Sequence, residues 1–280
     1  MSKPKILFVS QEIEPYLKET EMSKVGRFLP QGIQERGKEV RAFMPRFGLV
    51  NERRHQLHEV IRLSGLNLVV NDLDHPLIIK VASIQAARMQ VYFIDNEEFF
   101  KRKATFQDKS GKMFEDNDER AIFFVRGVLE TVKKLGWSPD IIHCHGWMTS
   151  ILPTYLKTFY NDDPLFSDTK TVYSVYDHHP EKPLHDGMID KVKFDEIDGD
   201  AVSLLQNPSY INLHKQAVKD SDAVVAGTSE IPTEIEADIK ESRKPFMTYT
   251  EYADDDSYYE KFSAFYDEIL NENTVSADAE

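Results

Sequence analysis

The chain has one cysteine in 280 residues, Cys144. A lone thiol excludes an internal disulfide and fits a reducing compartment. Glycine-rich phosphate loops are missing too: neither G-x-G-x-x-G nor a Walker sequence occurs, and the first strand-to-helix loop, residues 11–21, reads Q-E-I-E-P-Y-L-K-E-T-E with no glycine at all. Backbone N–H groups need such glycines to come close to a phosphate, so nucleotide binding at that loop is disfavoured. No apolar run approaches the ~18 residues of a membrane span. Residues 1–4 lead straight into a strand-like segment without a signal-peptide pattern, which makes the cytoplasm the expected compartment. Basic residues are outnumbered, 34 Lys and Arg against 48 Asp and Glu, giving a formal charge of −14 and a pI near 5.1. Nucleic acid and anionic membranes need basic surface, so neither is an expected partner. A neutral glycan, held by hydrogen bonds and aromatic faces, remains compatible.

What is present is an alternation of strand and helix, with enough apolar content, 41%, for a sizeable core. Residues 5–10 read as a buried strand. Met22, Val25, Phe28, Leu29 and Ile33 recur at helical spacing over 22–36 before Gly37, and 40–44 reads as a second strand. Such a β-α-β unit crosses over right-handed and starts a parallel sheet. Residues 45–51 are expected as loop and those to about Arg62 as helix. Three closely spaced strands, 66–70, 76–83 and 90–94, suggest an antiparallel excursion at the sheet edge. After a charged loop over 98–112, residues 116–135 form the strongest helix pattern, with Asp116, Asn117 or Asp118 available to cap it and Gly136 to stop it. Further on, 170–175 and 223–226 read as strands, 207–220 as helix, and 229–240 as a helix capped by Ser229 with Pro232 in its first turn. Residues 177–199 read as a long surface loop and 245–248 as a last short strand. A helix over 255–270 carries Tyr258, Phe262, Phe265, Tyr266 and Ile269 on one side and must dock on the rest, ahead of a polar, disordered tail over 272–280. The expected fold is α/β: a single Rossmann-like, doubly wound, mostly parallel sheet with an antiparallel edge excursion, comprising residues 1–250 with 251–271 as a docking helix.

The sequence is organised around S-P-D-I-I-H-C-H-G-W-M-T-S-I-L-P-T-Y, residues 138–155. Residues 141–144 are short and apolar like a buried strand, and helical pattern resumes near Met148. The loop after a strand's carboxyl end is where parallel α/β sheets bind ligands, which sets His143, His145 and Trp147 at the mouth of a cleft. The spacings His143-x-His145 and His55-x-x-His58 could belong to metal ligands. An extended chain is expected to turn His143 away from His145, with no acidic or second cysteine ligand nearby, and His55 and His58 to lie on a polar helix, so no metal is expected. Cys144, inside a buried strand, is expected to be inert. Asp116 to Glu119 are explained by helix capping, or by a carboxylate that faces the cleft and accepts sugar hydroxyls.

These motifs resemble those of bacterial glycogen and starch synthases. The opening K-I-L-F-V-S-Q-E-I-E-P-Y-L-K is similar to the family's strand followed by S-E-x-x-P-x-x-K-T-G-G-L, with Lys18, Met22, Val25, Leu29 and Pro30 in register. Asp116, Asn117, Arg120, Phe123 and Phe124 resemble D-N-x-x-R-F-x-x-F. Ile142-His143-Cys144-His145-Gly146-Trp147 resembles V-H-A-H-D-W, and residues 221–235 resemble A-D-x-x-x-T-V-S-P-T-Y-A-x-E-I. Four motifs in order over about 235 residues are far more specific than one.

The resemblance implies the amino-terminal, acceptor-side half of a two-Rossmann-domain glycosyltransferase that moves glucose from ADP-glucose to an α-1,4-glucan. It implies His145 as the catalytic candidate beside the transferred glucose, Lys18 on the phosphate side, Asp116 on sugar hydroxyls, and Asn117, His143 and Trp147 as further substrate-binding residues; no cofactor is implied. About 45 residues follow the last motif, too few for a donor-binding βαβ domain. The chain also departs from the pattern: Glu19-Thr20-Glu21-Met22 stands for Thr-Gly-Gly-Leu, Gly146 for Asp, Met148 for His, and Ser174-Val175-Tyr176-Asp177 for T-V-H-N. Three readings follow. The chain is a synthase that needs a partner chain for its donor half; or it binds α-glucan or a synthase without catalysis, with Trp147, Tyr176, Phe99 and Phe100 as exposed stacking aromatics; or it is an interaction module using its acidic 177–200 segment.

Overall fold

The structure, a computed structural model, describes residues 3–177, 180 and 182–277, with the backbone alone from 272 to 277. In chain order the elements are β1 (Lys5–Ser10), α1 (Glu21–Glu35), β2 (Glu39–Pro45), β3 (His58–Glu59), β4 (Leu66–Val70), β5 (Leu73–Ile84), β6 (Met89–Asp95), α2 (Glu97–Phe100) and α3 (Asn117–Leu135). They continue with β7 (Ile141–His145), α4 (Leu152–Lys157), β8 (Lys170–Val175), α5 (Met188–Lys193), α6 (Tyr210–Asp220), β9 (Ala223–Ala226), α7 (Thr233–Ser242), β10 (Phe246–Met247) and α8 (Asp256–Ala277). The sheet runs β10-β9-β8-β7-β1-β2-β6-β5-β3, with β4 paired to β5. Strands from β10 to β6 are parallel, and β5, β4 and β3 form the antiparallel edge. The expected α/β class with its edge excursion is therefore observed, and the third closely spaced strand, β6, rejoins the parallel sheet beside β2.

Period-two alternation sorts the central strands between two buried faces. Ile6, Phe8, Ala42, Met44 and Ile141 pack toward α1 and α8. Leu7, Val9, Phe43, Ile142, Cys144 and Tyr173 pack toward α3, α4 and α6. Helix α1 begins with a capping box in which the Thr20 hydroxyl accepts from Ser23 N–H and the Ser23 hydroxyl accepts from Thr20 N–H. Helix α8 seats Tyr258, Tyr259, Phe262, Phe265, Tyr266 and Ile269 in the core, each worth about 1.5–3 kcal/mol of burial. Gly32 admits that contact, because a Cβ there would fall 2.3 Å from the Tyr259 ring.

Five expectations change. Residues 51–62 do not form a helix: they are turns, with Gln56 at φ +53, leading into β3, so His55 sits in a turn against Tyr16 and His58 on a strand. The segment 177–199 carries helix α5, with Met188 and Val192 buried, where its charges suggested only surface loop. Helix α7 starts at Thr233 with Pro232 at the cap position and no side-chain cap, so Ser229 lies outside it. Asp116 precedes α3 without capping it, since its carboxylate is taken by Arg102. The backbone of α8 continues past Asn271 to Ala277, and the rest of the expected tail, 278–280, lies outside the described residues.

Candidate functional site

From β1 the sheet grows to β2 and β6 on one side and to β7, β8 and β9 on the other. The carboxyl ends of β1 and β7 thus flank the point where strand order reverses, the position at which such sheets open a ligand crevice. Gln11 N–H donates to the His145 carbonyl at 3.2 Å, and Met148 N–H donates to Gln11 Oε1 at 3.3 Å. This approach explains Gly146: its φ is +87°, and a Cβ would meet the Gln11 side chain at 2.4 Å.

His143 and His145 are brought together. Two residues apart on one strand, they share the face toward α8, with ring centroids 4.0 Å apart, which corrects the expectation that His143 turns away. His143 Nδ1 lies 2.6 Å from the Tyr266 hydroxyl and Nε2 2.8 Å from the Ser174 hydroxyl. His145 Nδ1 lies 3.1 Å from the Tyr176 hydroxyl, while its Nε2 is buried without a hydrogen-bond partner among the described residues. Both side chains are 0% exposed. Burial, with a smaller push from His145, drives His143 well below its usual range; burial drives His145 down to about 3. Both imidazoles are neutral at physiological pH and suited to hydrogen bonding rather than to carrying charge. Beside them, between Ser174, Tyr176, Tyr258 and Phe262, only about 10 Å³ remains open, at the lower limit for one water.

Trp147 does not line an open mouth. It is 1% exposed and packs on Phe106, centroids 4.9 Å apart. Phe99, Phe100 and Tyr176 are buried as well, so none of the aromatics expected to be exposed presents a free face here. Asn117 donates from Nδ2 to the Phe106 carbonyl at 2.9 Å and accepts from Arg120 Nη1 at 2.7 Å. Arg120 also donates to the carbonyls of Phe99 and Thr105, and burial lowers its pKa to about 9, with Arg102 adding to the effect. The pair pins the 99–106 segment over Trp147. Asp116 pairs with Arg102 through both guanidinium nitrogens; burial opposes its charge, but the guanidinium outweighs it and keeps the carboxyl below the usual range. Lys18 is exposed, on the loop before α1, where its carbonyl accepts from the Ser23 hydroxyl. The amino end of α1 gathers carboxylates: Glu12, which accepts from the Thr20 hydroxyl at 2.8 Å, Glu19, and Glu21, which accepts from the Tyr249 hydroxyl. Among the described residues no three His, Cys, Asp or Glu side chains gather as a metal site.

Several contributors were not singled out from the sequence. Gln11 fixes the β7 loop. Lys191 of α5 bridges Asp118 and Glu119, each at 2.7 Å. Asp195 binds Arg126 at 2.7 Å and the Tyr155 hydroxyl at 2.6 Å. Each joins residues tens of positions apart, and no local spacing announces that.

Across known proteins, the family described as the starch synthase catalytic domain matches residues 5–268. Glycogen synthase of Chlorobium luteolum is 35% identical over 219 residues, 78% of this chain and 44% of that protein. Glycogen synthase of Chlorobium limicola is 38% identical over 208 residues, covering 72% and 42%. That of Chlorobium phaeobacteroides is 33% identical over 239 residues, covering 85% and 48%. The chain thus spans somewhat under half the length of these relatives. By structure, it resembles the catalytic domain of starch synthase IV from Arabidopsis thaliana, determined bound to ADP and acarbose, with a TM-score of 0.72 at 18% identity, over 92% of this chain and 53% of that one. A match that runs nearly from the first strand to the docked helix, on the fold those motifs implied, decides the family: this chain belongs to the starch synthase catalytic domain family.

Proposed function

We propose that the chain forms the acceptor-side wall of an ADP-glucose-dependent α-1,4-glucan synthase, and that on its own it binds α-glucan without transferring glucose. The observation that carries this reading is the amino end of α1. A helix start holds a diphosphate through free backbone N–H groups and its positive dipole end. Here the capping box already takes the Ser23 and Thr20 N–H groups, and the carboxylates of Glu12, Glu19 and Glu21 stand around the same turn. A diphosphate would meet like charge there, and stabilising the departing diphosphate is the main electrostatic requirement of the transfer. The water-sized space next to the two histidines adds support, since it admits no sugar ring in this arrangement.

For the glucan we assign the hollow beside Asp116, about 290 Å³, where Phe114 and Leu184 offer apolar faces and Lys112, Glu115, Lys182 and His185 offer polar groups. Sugars take this combination of flat apolar surface and peripheral hydrogen bonds. Calorimetry with a maltooligosaccharide and with ADP-glucose tests the reading. Glucan binding without ADP-glucose binding is the expected result. Micromolar binding of ADP-glucose overturns the non-catalytic half, and silence with both overturns the whole. Because His145 is enclosed, Phe114→Ala is the cleaner probe; unchanged glucan affinity would move the site away from this hollow.

A further inference from the structure

We infer that the opposite end of the sheet, at the amino ends of β2 and β6, holds a second binding site, for a small phosphorylated ligand. A cavity of about 650 Å³ opens there, lined by Arg41, Arg62, Arg88 and Lys134 against one carboxylate, Glu39. In a chain with 48 acidic and 34 basic residues, four cations to one anion around a single cavity is a local reversal of the overall charge. None of the four forms an ion pair among the described residues. Glu39 is itself engaged, accepting from Trp137 Nε1 at 2.5 Å.

Arg41 is held in place before any ligand arrives. Its guanidinium lies 5.0 Å from the Trp137 ring centre and 5.7 Å from that of Tyr92, and Nη1 donates to the Tyr92 hydroxyl at 2.8 Å. Its Nε is enclosed and has no acceptor among the described residues, so Nη1 and Nε are both fixed by the fold and the guanidinium brings its charge to the cavity in a set position. Lys134 has a local explanation: it sits in the last turn of α3 and donates to the carbonyls of Leu63 and Ser64. Arg62 and Arg88 do not. They lie on turns outside any α-helix, exposed, with Arg88 at φ +50, and mutual repulsion of unpaired guanidinium groups favours an anion between them. Gln85 and Gln90 also line the cavity and can meet hydroxyls, so a phosphate monoester carrying hydroxyls fits better than a purely apolar anion. The site lies away from the carboxyl-end crevice, so its occupancy is independent of the glucan reading.

Titration of the full chain with inorganic phosphate and, separately, with glycerol 3-phosphate, by calorimetry at low ionic strength, tests this. Saturable binding is expected for at least one of them. Tighter binding of glycerol 3-phosphate assigns the site to the ester, and equal affinity assigns it to the phosphate group itself. Arg62→Gln and Arg88→Gln, whose side chains make no hydrogen bond or ion pair among the described residues, should each weaken binding about tenfold, while Arg53→Gln, an exposed cation elsewhere, should leave it unchanged. Circular dichroism verifies that the variants fold. Absence of saturation with both ligands up to about 10 mM, a range that spans ordinary metabolite affinities, or wild-type affinity in both arginine variants, overturns the proposal.

Discussion

Acid tests how the histidine pair at the end of β7 is held. Both rings are enclosed, 4.0 Å apart, and burial pushes His143 well below its usual range and His145 down to about 3. In the unfolded chain a histidine titrates near ~6.5. Below that pH the unfolded chain takes up protons that the folded chain refuses, so stability falls as the pH falls. The slope is about 1.4 kcal/mol per pH unit for each histidine, so going from pH 7 to pH 5 removes about 2 kcal/mol per ring and about 4 kcal/mol for the pair. That is a large share of a typical folding free energy of about 5–15 kcal/mol. Charging both rings inside the fold offers no escape, because two unit charges about 4 Å apart repel by about 4 kcal/mol at an effective dielectric of about 20.

The measurement is urea unfolding at steps from pH 7 to pH 5 for the wild type and for His145→Asn. Other groups titrate in the same fold. Asp118 and Asp195 are both raised by burial, so the folded chain holds their protons more tightly and their contribution has the opposite sign. Comparing slopes rather than absolute stabilities cancels them. The variant should lose about 2 kcal/mol of the fall between pH 7 and pH 5. An identical slope in the two proteins would refute the claim that His145 is buried neutral.

Gly146→Ala should cost about 3 kcal/mol or more in thermal or urea unfolding, because φ is +87° and the new Cβ would strike Gln11; wild-type stability would show that Gln11 does not close on this loop. Lys191→Met should cost about 3–5 kcal/mol by leaving Asp118, fully enclosed, without its cation. Adding Asp118→Asn should restore part of that loss, and a double variant as unstable as the single one would count against the pairing. Tyr266→Phe, which deletes the hydroxyl 2.6 Å from His143 Nδ1, should cost about 1–3 kcal/mol, read as a shift in urea midpoint.

Elements whose order is set by burial were legible. The strands 5–10, 170–175 and 223–226 and helix α3 follow from apolar periodicity alone, and the docked helix from its aromatic stripe, because each side chain's environment is decided by its own strand or turn. Elements decided by distant partners were not. Residues 51–62 have helix-forming composition, yet Glu52 is held by Lys80 and Gln56 takes a left-handed turn. Helix α5 was hidden because its charges are read locally as solvated, whereas Lys191 is spent on the start of α3. Asp116 illustrates the same limit in the site: capping is the cheapest local use of that carboxylate, and Arg102, 14 positions earlier, overrides it.

The histidine loop shows why motif and accessibility must be argued separately. The residues that name the family at β7 are present, but their polar atoms are met by the chain itself: Tyr266 of α8 and Ser174 on His143, Tyr176 on His145. Gly227 makes room for Tyr176, since a Cβ there would lie 2.8 Å from that ring, and Gly32 makes room for α8. The closure is therefore built into several elements rather than into one mobile side chain. For a sugar to reach His145, it must displace Tyr176 from that ring and open the packing of Tyr266 and Phe262 of α8 on its neighbour His143, each buried side chain worth about 1.5–3 kcal/mol, against the few kcal/mol that a handful of sugar hydrogen bonds supplies. The balance favours the closed arrangement, which is why we propose the open hollow at Phe114, and not the enclosed histidines, for a glucan.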